Sequence, residues 1–300
     1  MKTKEEEIVE FKASKKDLVR LVSRCQGATA KTPTTPALGC VLLSAKSKTL
    51  TVSATDLYVS ISGSMTSSVA TKGSVAVHAK DLLKRLKAMP DGDVIVTADS
   101  NHVVTVKADG SPRKFKLPGL NGADFPGVLE PGGNATECAT IAPKLARMLE
   151  LTHFSISQDE TRPHVNSLLV EFAGDVMRAV STDGHRLSLA ELESNNAPSM
   201  TMLLPLRGVL ELRKLVDSAT DEIASIVYDG KTAFFAVDGV RLGVRVVDAQ
   251  FPPYQQVIPK THQQIARLSR ALFSDALNAI RVAASALNGG VNVTLLPGSV

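Results

Sequence analysis

The feature that most constrains this chain is that it repeats itself. Ala123-Asp124-Phe125-Pro126 recurs as Ala249-Gln250-Phe251-Pro252, and Thr55-Asp56 recurs after a β-like run as Thr182-Asp183, shifts of 126 and 127 residues. Helix-like segments begin near Ser14, Pro143 and Arg270, and a second helix at Ala79 to Ala88 has its counterpart at Pro205 to Asp217. A period of this length means tandem copies, each large enough to bury a core of its own. The 300 residues therefore divide into units 1–127, 128–256 and 257–300, the last being the opening of a third copy whose period would carry it to about residue 380.

Each complete unit has the same internal order. A strand at Ile8 to Lys12 leads to Ser14, an N-cap with Asp17 three residues on. Leu18, Leu21, Val22 and Cys25 then recur at helical spacing. Alternating, β-branched runs at Gly39 to Ser44, Thr49 to Ala54 and Tyr58 to Ser62 precede the second helix. Asp93 to Thr97, Val103 to Lys107 and Lys114 to Leu117 follow it, with a turn at Asp109-Gly110. The third unit offers a helix at Arg270 to Leu287 and a strand at Val291 to Leu295. The predicted class is α+β: tandem repeats of mainly antiparallel sheet, with two helices on one face of each, and an incomplete third repeat.

Several function classes fall away. No uninterrupted apolar run approaches the ~20 residues of a membrane-spanning helix. The acidic start, with Glu5, Glu6, Glu7 and Glu10, is unlike a signal or transit peptide, so a cytoplasmic location and no membrane partner are expected. Cys25, Cys40 and Cys138 have neither disulfide nor metal spacing, and no cofactor or metal is expected. Asp183, His185 and Ser188 lack the nucleophile elbow of a hydrolase and read as a turn. Gly230-Lys231-Thr232 ends like a phosphate-binding loop, but Ser225 stands at the first glycine position, so Asp229-Gly230 reads as a hairpin turn.

Charge is more telling by segment than in total. The net +4 splits into +7 for residues 1–127 (19 basic, 12 acidic), −6 for 128–254 (11 and 17) and +3 for 255–300 (4 and 1). The four helices of the complete units carry 13 basic and 5 acidic residues, a balance of +8. Each helix spends one face on the core, so these charges lie on the other. Helices of two related units biased alike predict a positive surface for a polyanion, gripped through its phosphates without sequence reading. No helix is rich in the Asn, Gln and Arg that read base edges.

Thr182-Asp183-Gly184-His185-Arg186-Leu187, the stretch Phe251 to Pro259, Ala123 to Pro126, Thr35-Pro36-Ala37-Leu38 and Thr55-Asp56-Leu57 together resemble the bacterial sliding clamps, the β subunits of DNA polymerase III. The resemblance runs from about Phe11 to Val300. It implies a ring of two chains, each of three similar domains, with helices on the inner face and antiparallel sheets outside. Such a protein is a processivity factor with no catalytic residue. It encircles double-stranded DNA and tethers the polymerase III catalytic subunit, the clamp loader and other clamp-binding proteins. The alternative is a clamp-derived module that cannot close a ring and acts as a peptide-binding decoy or regulator.

By motif, the resemblance implies a partner-peptide pocket of Val165, Thr182, Gly184, His185, Arg186, Leu187, Pro252 and Val257, with Gln256 where the family often has Arg. It implies DNA contacts at Lys31 and Arg162 beside the helix residues Arg20, Arg24, Lys80 and Lys84. For ring closure as a homodimer it implies Lys114, Phe115 and Leu117 in the first domain, and Val282 and Ala283 in the third.

Overall fold

The Ser14 hydroxyl accepts the Asp17 N–H at 3.4 Å, so strand β1 (Glu7–Ser14) passes straight into helix α1 (Lys15–Cys25). This computed structural model describes residues 7–30, 32–33, 35–262, 264–282 and 291–296. They divide into a large unit, Met1–Pro252, and a small one, Pro253–Val300.

In the large unit, α1 is followed by β2 (Cys40–Lys46), β3 (Thr49–Thr55), β4 (Val59–Thr66), β5 (Ser68–Thr71), β6 (Gly73–His78) and helix α2 (Ala79–Lys87). Strands β7 (Asp93–Asp99), β8 (Val103–Ala108) and β9 (Lys114–Asn121) complete the first repeat. The second contains β10 (Thr136–Ile141), α3 (Ala142–Thr152), β11 (Ser167–Thr182), β12 (Leu187–Pro205), α4 (Leu206–Asp217), β13 (Ile223–Tyr228), β14 (Thr232–Val237) and β15 (Val240–Arg245). Helices α1 and α3, like α2 and α4, start 127 residues apart, the period read from the sequence.

Strand β15 pairs antiparallel with β4, from Val244 opposite Val59 to Val240 opposite Gly63, so main-chain hydrogen bonds carry the sheet from one repeat into the next. Thirteen described strands thereby join in the order β10-β13-β14-β15-β4-β3-β2-β6-β9-β8-β7-β1-β5, while β11 and β12 form a separate ladder. Each helix buries one stripe: Leu18, Leu21, Val22 and Cys25 from α1 and Leu82, Leu83 and Leu86 from α2 lie against the thirteen-stranded sheet, Leu145, Met148 and Leu149 from α3 chiefly against the β11–β12 ladder, and Val209, Leu212, Leu215 and Val216 from α4 against both. Burial pushes the Cys25 thiol up to about 12, which makes it a packing group.

Strands β5 and β6 go unannounced in the sequence. Their apolar residues are few (Val69, Val75, Val77), and Lys72-Gly73 interrupts them, so the pairing partners β1 and β2 define these strands. In the small unit, helix α5 (Arg270–Arg281) is capped by Ser269 and buries none of its residues. The described helix runs to Arg281, and 283–290, which include the rest of the span predicted to Leu287, lie outside the described residues. Val291 to Leu295 do not form the predicted strand; Leu296 alone makes an isolated bridge. A strand exists by virtue of a ladder, and among the described residues this segment has none.

Gly208 sits in the first turn of α4, where a Cβ would overlap the Val244 side chain on β15. Gly208→Ala gains about 1 kcal/mol of helix propensity but overpacks the helix–sheet contact at a cost of about 1–3 kcal/mol. The expected outcome is net destabilisation, read as a lower urea midpoint at unchanged m-value.

Candidate partner and nucleic-acid surfaces

Residues Thr182 to Leu187 close the β11–β12 hairpin, and the Thr182 hydroxyl and Asp183 carboxylate both bond within the turn. The Thr182 hydroxyl donates to the Arg186 carbonyl (2.7 Å) and accepts the Gly184 N–H (3.1 Å). One Asp183 carboxylate oxygen accepts the N–H groups of His185 and Arg186, both at 3.0 Å, and the other meets Arg186 Nε at 2.9 Å. Gly184 takes φ +92°, the left-handed region in which glycine pays no Cβ penalty. The His185 N–H above all, with the Arg186 N–H and guanidinium, holds the Asp183 carboxyl down at about 2. That carboxylate is spoken for by the main chain, so Asp183, His185 and Ser188 form no catalytic relay; the Ser188 hydroxyl pairs with that of Ser155 at 2.6 Å.

The turn is fastened to the end of α3. Arg186 donates to the Phe154 carbonyl (2.7 Å) and lies over the Phe154 ring at 5.6 Å, and the Ser181 hydroxyl donates to the Thr152 carbonyl (2.5 Å). Phe154, half exposed, and Leu189 are apolar surface beside the turn that the sequence reading missed. Nothing in an aromatic after a helix marks it; its role is visible in the Arg186 contact alone. Val165 is buried at the end of the Ser157–Asn166 loop, where its N–H meets the Arg162 carbonyl at 3.1 Å. Pro252 closes the large unit, and Val257 follows the short 3-10 turn Tyr254–Gln256 of the small unit with its side chain exposed.

The first repeat contains the same turn atom for atom. The Thr55 hydroxyl donates to the Val59 carbonyl (3.1 Å) and accepts the Leu57 N–H (3.0 Å), and Asp56 accepts the Tyr58 and Val59 N–H groups at 3.0 and 2.7 Å. Here Leu57 takes the left-handed place, at φ +78°. The outward partner of Asp56 is Arg207 of the second repeat, at 2.5 Å.

The basic helix residues divide sharply. Among the described residues eight of the thirteen are in ion pairs: Lys15 with Asp91, Arg20 with Asp17, Arg24 with Asp238, Arg85 with Asp81, Arg147 with Glu150, Arg207 with Asp56, Arg213 with Asp217 and Lys214 with Glu211. Lys16, Lys80, Lys84, Lys87 and Lys144 are exposed and have no ion pair among them. Arg20, Arg24 and Lys80 from the first repeat and Arg207 and Lys214 from the second line one groove of about 980 Å³, which puts the helices of both repeats on one side of the sheet. Arg162 lies in the Ser157–Asn166 loop, paired with Asp159 at 2.7 Å. Lys31 and Ala283 lie outside the described residues.

Strand β9 has a divided ladder. Lys114 to Pro118 pair with β8 on one side, whereas Gly119 to Asn121 pair with β6 on the other. Among the described residues of the large unit, no strand pairs with the second edge of Lys114 to Leu117. Leu117 is buried, Phe115 half-buried and Lys114 exposed. Val282 is 89% exposed just past α5.

Comparison with known families decides what such an assembly is. The family profile for the N-terminal domain of the DNA polymerase III β subunit matches residues 9–130, and that for the central domain matches residues 141–253. The chain belongs to the DNA polymerase III β-subunit family. The β sliding clamp of Caulobacter vibrioides is 29% identical over 289 residues, 94% of this chain and 77% of the relative. That of Pseudomonas putida is 28% identical over 294 residues, 97% and 79% of the two chains. Among solved structures, the DNA polymerase sliding clamp of Caulobacter crescentus matches with TM-score 0.85 at 28% identity, covering 92% of this chain and 75% of that one. The Bartonella birtlesii clamp bound to griselimycin matches with TM-score 0.84 at 26% identity, over 93% and 76%. Sliding clamps are processivity factors of DNA replication rather than enzymes. Among the described residues no group of three or more His, Cys, Asp or Glu is placed to hold a metal, and no helix is long and apolar enough to cross a membrane.

The Asp183 turn has a pH signature. Its folded pKa, about 2, lies below the ordinary 3.8, so its stabilising share is fully present above 3.8 and is lost as pH falls through about 2. The amide resonances of His185 and Arg186 are expected to hold their positions down to about pH 3 and to move together with a midpoint near pH 2. In Asp183→Asn they should be displaced already at neutral pH.

Proposed function

We propose that this chain acts as a subunit of a ring around duplex DNA that holds the replicative polymerase to its template. The observation that carries this reading is the groove that joins the helices of both repeats on one side of a continuous sheet. Lys80 and the exposed Arg20 line that groove, Lys84 stands one turn along α2 from Lys80, and such exposed cations meet phosphates without sequence preference. Arg162 is a further contact by family resemblance. A tethered polymerase rebinds faster than it diffuses away because its effective concentration at the template stays high.

The partner surface is the Thr182–Leu187 turn with Val165 and Pro252 of the large unit. A rigid turn supplies fixed backbone groups, and Leu187 with its apolar neighbours receives the side chains of a short peptide from the polymerase, the loader or another clamp-binding protein. The edge at Lys114 to Leu117 that no described strand of the large unit pairs supports ring closure by strand addition from a second copy, with Val282 on the opposing side.

Two experiments test this. Loaded onto nicked circular DNA by its loader, the chain should stay bound until the circle is cut; Lys80→Glu with Lys84→Glu should shorten that retention and lower the salt slope of duplex binding by about two. Retention that survives linearisation, or a slope unchanged by both reversals, rejects the encircling role. Leu187→Asp should abolish capture of a clamp-binding peptide while leaving thermal stability near wild type, because Leu187 is half-exposed. Normal peptide binding by that variant rejects the pocket.

A further inference from the structure

Two arginines counted on the basic helices are bound elsewhere. Arg24, in the last turn of α1, donates to the Ser218 carbonyl (3.1 Å) and hydroxyl (3.2 Å) and pairs with Asp238 at 3.2 Å. Its side chain is 14% exposed and that of Asp238 is 7%. Asp238 is itself fixed beforehand: at φ +51° in the β14–β15 turn, it accepts the N–H groups of Thr220 (3.0 Å) and Asp221 (2.8 Å). In the opposite sense, Arg207 reaches from the first turn of α4 to Asp56, to the Thr29 carbonyl at 3.0 Å and to that of Gly27 at 3.4 Å. Between these anchors Glu211 is buried against Gly27, where any Cβ would overlap its carboxylate. Helix α4 is thus fastened to the first repeat at both ends, by an arginine given and an arginine received.

We propose that Arg24 and Arg207 are positioning residues that lock the first two repeats together, and that the exposed lysines, not these arginines, meet the DNA phosphates. The second clause rests on the DNA reading above. To reach a phosphate, Arg24 would have to abandon a buried carboxylate and two Ser218 acceptors, leaving Asp238 charged and without its cation. An exposed lysine forfeits nothing comparable. The same lock holds the β4–β15 ladder closed, since Asp238 lies two residues before that ladder begins.

The test uses the whole chain with Arg24→Ala, Arg24→Lys and Asp238→Asn, the last of which keeps the arginine and an oxygen for the Thr220 N–H. Amide hydrogen exchange in β15 and the salt dependence of binding to a duplex oligonucleotide are read for each. The lock predicts exchange at Val240 to Val244 faster by about tenfold in Arg24→Ala and Asp238→Asn, with the β7–β8 ladder unchanged. Arg24→Lys falls between, because a lysine cannot span all three acceptors. The salt slope stays at the wild-type value throughout. Wild-type protection of β15 in both variants overturns the lock. A slope lower by about one in Arg24→Ala, retained in Asp238→Asn, makes Arg24 a phosphate contact and overturns the assignment. If the wild-type chain does not bind duplex DNA, the DNA reading fails on its own, while the exchange data still decide the lock.

Discussion

The ladder between β4 and β15 is the interaction on which everything functional in this chain depends. Five residue pairs, Val59–Val244 to Gly63–Val240, make one sheet of two repeats. A ladder fixes relative orientation more strictly than side-chain packing does, because register and pleat must match along its whole length. Val240, Leu242 and Val244 are buried on one strand, as are Val59 and Ile61 on the other, so slippage by one residue would turn this row outward. With the register set, the helices of both repeats have one side of the sheet to occupy. Their solvent faces then form a common surface that neither repeat could offer alone.

What that surface can do is decided by which charges are free. An exposed pair such as Arg20 with Asp17, 3.8 Å apart and with side chains 63% and 48% exposed, is worth little in water and yields readily to a phosphate. The Arg24–Asp238 pair is nearly closed to water, and removing one partner strands the other. Counting both arginines alike therefore overstates the grip. The net charge of the helices describes long-range attraction, while the five lysines without an ion pair among the described residues are the charges that a close contact would find free.

Local instructions were legible in the sequence, and long-range pairings were not. Ser14 with Asp17 announces a helix start because the capping bond spans three residues, and the Thr-Asp phrase announces a turn because the bonds that shape it, from the threonine hydroxyl and one aspartate oxygen, are met within five. The period of 127 exposed the tandem architecture because each copy repeats such local phrases. Strands β5 and β6 carry little pattern of their own and exist because β1 and β2 offer them edges. Arg24 and Asp238 are 214 residues apart, and no spacing rule connects them. The same blindness affected Arg207, read as one more surface charge, and Phe154, whose meaning comes from Arg186. The predicted strand at Val291 to Leu295 erred for the converse reason: its alternation is real, but alternation without a neighbouring ladder does not make a strand.

The two Thr-Asp turns show how one local solution serves two purposes. Both fold by the same four hydrogen bonds, so their shape is set by sequence within the turn. The difference lies in the residue at left-handed φ and in the outward partner of the aspartate. In the first repeat Leu57 occupies that position, a strain of about 1–3 kcal/mol for a side chain with a Cβ, and Arg245 holds its carbonyl at 2.9 Å. That turn is bound from outside, by Arg207 and Arg245 of the second repeat, and becomes part of the seam. In the second repeat Gly184 removes the strain, and Arg186, from within the turn, satisfies Asp183. A turn that closes its own electrostatics needs no neighbouring domain to hold it, and so its outer face stays available to a partner. The repeats share the turn, and two differences, glycine for leucine and an internal arginine for an external one, separate a turn held in the seam from one whose outer face is left open.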